Sequence, residues 1–79
     1  MTLKDLRVGG SGKVSAVSGE KAMRRRLLDM GITPGTVVMK RKAAPMGDPL
    51  EINVRGYELS IRRSEAKEIR VIPQETVKP

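Results

Sequence analysis

Apolar and polar residues alternate along several short stretches of this chain, and the period lengthens to that of a helix in one main place. Leu50, Ile52 and Val54 are separated by Glu51 and Asn53; Tyr57, Leu59 and Ile61 are separated by Glu58 and Ser60. A period of two marks a strand with one buried face, so Leu50–Arg55 and Tyr57–Arg62 are expected strands. Gly56 turns the chain between them and makes a hairpin about Arg55–Gly56. Gly12–Val17, apolar at 14 and 16, reads as an earlier strand. Thr36–Ala44 begins with β-branched residues and reads as the next, its basic end Lys40–Lys42 splayed at an edge. Glu68–Ile72 is the last strand.

The helical period lies between the first two strands. Met23, Leu27 and Met30 recur at i, i+4 and i+7, the apolar stripe of an amphipathic helix. Ser18 is the expected N-cap, and Glu20 places negative charge at the positive end of the helix dipole. The helix runs to about Met30, where Gly31 suits the left-handed position past its end and Pro34 lies beyond. Leu3 and Leu6 form an i, i+3 pair that lays two leucines on the core. Ser64–Lys67 reads as one helical turn capped by Ser64. Pro45–Pro49 is a loop restricted by two prolines, and residues 73–79 form a polar, proline-bounded tail expected to be flexible.

These elements predict a mainly β domain over residues 1–72 with one short α-helix. Five short strands joined by tight connections close best as a small SH3-like β-barrel, because closure removes exposed strand edges. The helix would cover one open end.

Composition narrows the chemistry. The chain has 79 residues, with 38% hydrophobic and 32% charged; Tyr57 is its one aromatic residue, and it contains neither cysteine nor histidine. Disulfides and thiolate metal sites are excluded, and so are the commonest general base and transition-metal ligand. Gly9–Gly12 lacks the Lys-Ser/Thr of a phosphate-binding loop and precedes a strand. The chain therefore reads as a non-enzyme without a cofactor. Glu65 and Glu68, an i, i+3 carboxylate pair, flank Lys67, whereas a ferrous site favours imidazole beside carboxylate; no metal centre is expected. The N-terminal residues show no apolar leader and no run reaches the roughly 20 residues of a membrane span, which predicts a cytoplasmic protein.

The formal net charge is +7, which suits nucleic acid, anionic lipid or an acidic protein face. Gly12–Gly19 loosely resembles the KOW motif of nucleic-acid-binding barrels. Single-strand binders usually offer stacking aromatics, and Tyr57 alternates with core positions, so it is placed in the core or at the barrel rim; nucleic acid is the disfavoured partner. For a protein partner, the candidates come from the helix and the proline loop. On a helical wheel Arg24, Arg25 and Arg26 point in different directions. Arg26 lies beside the apolar stripe, its guanidinium expected on turn carbonyls. Leu28 falls toward Arg24 and Arg25, an apolar residue among arginines and thus a candidate interface anchor. Met46, at the tip of the 44–49 loop, is flexible and adaptable, with Asp48 beside it. Arg24, Arg25, Leu28, Met46 and Asp48 are the candidate partner-binding residues.

Three segments in order carry a family resemblance: Arg26-Leu27-Leu28-Asp29-Met30-Gly31-Ile32-Thr33-Pro34-Gly35-Thr36, then Ala44-Pro45-Met46-Gly47-Asp48-Pro49-Leu50, then Arg55-Gly56-Tyr57-Glu58-Leu59-Ser60-Ile61-Arg62-Arg63-Ser64-Glu65-Ala66. With Leu3, Leu6 and Gly12-Lys13-Val14 they resemble the ferrous-iron transport protein A (FeoA) family over residues 3 to 72. Met46 departs from it, standing where the family often has a larger apolar residue. The resemblance implies an SH3-like barrel in the cytoplasm, an accessory to a large membrane ferrous-iron transporter whose cytosolic part includes a GTP-binding domain. It would be recruited to the inner face of the membrane and act by protein–protein contact, with weak self-association as a further expectation. Two other readings stay open: a nucleic-acid-binding SH3-like module, and a free-standing relative of the C-terminal domain of metal-dependent repressors, with the 73–79 tail as a ligand in cis.

Overall fold

The computed structural model describes residues 1–74. A 3-10 turn, Leu3–Asp5, is followed by β1 (Ser11–Val17), the helix α1 (Lys21–Asp29), β2 (Val37–Ala43), β3 (Leu50–Val54), β4 (Tyr57–Ile61), a one-turn helix α2 (Arg63–Ala66) and β5 (Ile69–Gln74). The strands form one antiparallel sheet in the order β4-β3-β2-β1-β5. This is a small SH3-like fold. Bulges between Val14 and Ala16 and between Lys40 and Lys42 interrupt the ladders and increase the local twist. The core joins Leu3, Leu27, Ile32, Val38, Ile52 and Ile61 with their neighbours, while Met23, Met30 and Leu59 pack partly buried against it.

Periodicity placed the hairpin and the helix where they are. Arg55 and Gly56 both have positive φ, 50° and 89°, as a tight two-residue turn requires. Helix α1 ends in a Schellman motif: Gly31, at φ 95°, donates to the Leu28 carbonyl at 3.0 Å, and Ile32 donates to the Leu27 carbonyl at 3.1 Å.

The structure corrects six expectations. Ser18 does not cap α1: Glu20 occupies the N-cap, and the Ser18 hydroxyl donates instead to the Glu68 carbonyl and carboxylate at 3.2 and 2.9 Å. Ser64 does not cap α2: Arg62 precedes that helix, and its N–H donates to Glu65 Oε1 at 2.8 Å. Ala16 is exposed, because the bulge after Val14 takes it out of the alternation. Lys40 is not splayed at an edge; β2 is the central strand, and Lys40 is 8% exposed. The sheet is not closed, since β4 and β5 pair with β3 and β1 but not with each other. The last strand continues two residues past its expected end at Ile72, to Gln74, with Pro73 opposite Gly12 and Gln74 opposite Ser11. The remainder of the expected tail lies outside the described residues.

Candidate partner-binding surface

The open side of the sheet is where the exposed chemistry gathers. Between β4 and the helices runs a groove of about 450 Å³, lined by Met30, Pro49 and Ile61 on its apolar side and by Arg26, Arg62 and Glu65 among its polar residues. Each wall has a local cause. The stripe of α1 that buries Leu27 leaves Met30 half-buried at the groove and Arg26 beside it. Glu65 is held inward by its bond to the Arg62 N–H, the reach-back of an N3 carboxylate to the residue before a helix.

Arg26 and Glu65 form an ion pair across the groove floor, with side chains 60% and 5% exposed. The guanidinium therefore meets a carboxylate, not turn carbonyls. Glu65 is a residue that sequence reasoning treated only as a metal ligand to be dismissed. Its place three residues after Arg62, at the start of a helical turn, was the available signal. Tyr57 stands at the rim, 44% exposed, and its hydroxyl donates to the Met30 carbonyl. That bond ties the hairpin to the end of α1.

The five candidate residues fall into two groups. Arg24, Arg25 and Leu28 lie on the outer face of α1, Leu28 being 36% exposed. Met46 is 85% exposed at the tip of the proline loop. Asp48 is already engaged: its Oδ1 accepts the Arg63 N–H at 3.0 Å, at the start of α2. The groove separates the groups, with Arg26 and Met30 on the helix wall and Asp48 and Pro49 on the loop wall. Arg25 and Asp29, spaced for an i, i+4 pair, form no ion pair; among the described residues such pairs join Arg26 to Glu65 and Arg41 to Glu58.

Metal chemistry finds no built site among the described residues, where no three His, Cys, Asp or Glu side chains come together. No helix among them is long and apolar enough to cross a membrane.

Residues 1–73 match the model of the FeoA domain family. The chain is 38% identical to a FeoA-like protein from Clostridium acetobutylicum, whose solution structure superposes with a TM-score of 0.88 over 100% of this chain and 92% of that one. It is 33% identical to FeoA of Stenotrophomonas maltophilia, crystallised with zinc and described as a procaryotic SH3 domain protein; that match has a TM-score of 0.80 and covers 91% of this chain and 89% of the other. A curated relative, the Fe(2+) transport protein A/Fe(2+) transporter FeoB fusion protein of Porphyromonas gingivalis, is 32% identical over 71 residues. Those residues make up 90% of this chain but only 8% of the fusion protein.

Proposed function

The chain belongs to the FeoA family, and from that membership we propose that it is a non-enzymatic accessory of ferrous-iron uptake, acting in the cytoplasm by contact with the cytosolic part of a FeoB-type membrane transporter. The observation that carries this reading is the fusion. In the Porphyromonas gingivalis relative an FeoA segment and the transporter are one polypeptide, so the two are held at fixed stoichiometry and high effective concentration. A separate chain of the same family would obtain that proximity by binding.

The surface supports binding better than catalysis. The chain has neither histidine nor cysteine. What the domain does offer is a basic helix face with Arg24, Arg25 and Leu28, a loop bounded by two prolines that presents Met46, and a groove between them bordered by Asp48. Arg24, Arg25 and Leu28 form the first contact group and Met46 and Asp48 the second. A charged rim around one apolar side chain is the arrangement of a protein interface, where the apolar anchor contributes affinity and the charges set orientation and encounter rate.

The test is retention of the full chain by the intact transporter in lipid nanodiscs, in each nucleotide state. Wild-type protein is expected to be retained, and the double substitution Arg24→Glu, Arg25→Glu to be retained less. Absence of wild-type binding in every nucleotide state and at low salt would exclude this function.

A further inference from the structure

The two edges of the sheet are treated differently. Along β5 the edge is obstructed: Val71 donates to the Met1 carbonyl at 3.0 Å, Thr2 forms a bridge with Arg70, and Pro73 has no N–H to offer. Such devices are the usual ways of blunting an edge strand. Along β4 they are missing over two residues. In a two-residue hairpin the residues flanking the turn exchange ladder bonds, and alternation then assigns the β3-facing groups to Tyr57, Leu59 and Ile61. The N–H and C=O of Glu58, Ser60 and Arg62 point the other way. Arg62 is satisfied locally, its N–H donating to Glu65 Oε1 and its carbonyl accepting from Glu65 and Ala66. The backbone groups of Glu58 and Ser60 have no partner among the described residues.

This free edge borders the groove, which is lined by Ser60 and Ile61 from β4 and by Arg62 just after it. We infer that β4 is a strand-addition site: an extended acidic segment of the protein partner pairs with Glu58 and Ser60 as a sixth strand and places alternate side chains in the groove over Met30, Pro49 and Ile61. Backbone pairing supplies affinity and the groove supplies selectivity, as in other cases where a peptide augments a sheet. The acidic character follows from charge. The groove's own carboxylates are occupied, Glu65 by Arg26 and Asp48 by the Arg63 N–H. The exposed side chains of Arg62 and Arg63 form no ion pair among the described residues, and the chain as a whole carries +7. That balance also opposes a second copy of this chain as the occupant.

The inference rests on the transporter reading above, and the experiment separates the two. Amide hydrogen–deuterium exchange of the full chain is compared free and bound to the intact transporter in nanodiscs. Exchange at Glu58 and Ser60 is expected to slow at least tenfold on binding. Ser60→Pro removes the edge-facing N–H at a position where proline is tolerated and is expected to weaken binding at least tenfold; Ser60→Ala, which loses the hydroxyl but keeps the N–H, is expected to weaken it by a much smaller factor. Binding that leaves exchange at both amides unchanged would overturn strand addition while leaving the transporter reading in place. No wild-type binding would overturn both. Slowing that appears with chain concentration alone would assign the edge to a second copy and overturn the acidic partner. Should Ser60→Pro fail to fold, the exchange measurement on wild-type protein decides.

Discussion

Lys40 is the residue on which the amino-terminal turn depends. Its ammonium, on the central strand, donates to the Leu6 carbonyl at 2.7 Å and to the Lys4 carbonyl at 3.1 Å, among buried apolar side chains. Buried polar groups are tolerated when they are hydrogen-bonded. Lys40→Met removes the donor and leaves two carbonyls unserved, and is expected to lower stability by about 1–3 kcal/mol in urea unfolding. Lys13→Met, at an exposed position, should change it by less than about 0.5 kcal/mol. At the other end of the same turn, Asp5 accepts the Thr2 N–H at 3.0 Å and the Thr2 hydroxyl at 3.2 Å. The backbone bond first, and the hydroxyl second, hold its carboxyl below the usual range. A carboxylate with a lowered folded pKa contributes stability above its unfolded pKa and loses it as pH falls through the folded value. The melting-temperature difference between wild type and Asp5→Asn is therefore expected to be constant above about pH 5 and to shrink below about pH 4. None of these pairings except the local Asp5–Thr2 one was legible in the sequence. Lys40 finds its acceptors 34 and 36 residues away, and a run of three basic residues carries no sign of which one the fold turns inward.

Among the elements, the stop of α1 was legible and the starts of both helices were not. Gly31 announces itself because a left-handed residue after an apolar stripe needs glycine. The structure adds a second constraint: a Cβ at Gly31 would lie 2.9 Å from the Tyr57 hydroxyl, and that hydroxyl serves the Met30 carbonyl. Gly31→Ala thus meets both backbone strain and a collision with the β3–β4 hairpin. It is expected to cost more than about 1 kcal/mol in thermal or urea unfolding. Gly35→Ala has the same sign of φ, 94°, but open space around the new methyl, so it should cost less than Gly31→Ala. The two serines read as caps failed for different reasons. A serine hydroxyl can serve any nearby backbone group, and Ser18 was captured by Glu68 from the far end of the chain. At α2 a carboxylate three residues on took the capping role.

At the scale of the whole molecule, charge and the open edge act together. With +7 on 79 residues, association with an acidic partner should be fast and salt-sensitive. Retention by the transporter is expected to weaken steadily between about 0.1 M and 1 M salt, as the Debye length falls from about 10 Å to about 3 Å. Loss through Arg24→Glu, Arg25→Glu should vanish at high salt, whereas loss through Ser60→Pro should persist, since backbone pairing is not screened in the same way. Local pattern by itself determined that this is a five-stranded, mainly β domain with one helix, a hairpin at Arg55–Gly56 and a glycine stop at Gly31. Each of those features is written in residues a few positions apart, where periodicity and backbone sterics act. The tertiary structure alone decided that Lys40 is buried, that Arg26 pairs with Glu65, and that the sheet stays open beside β4. These depend on residues tens of positions apart. An edge closes only when two strands distant in sequence arrive side by side in register, and here β4 and β5 end on opposite sides of the sheet.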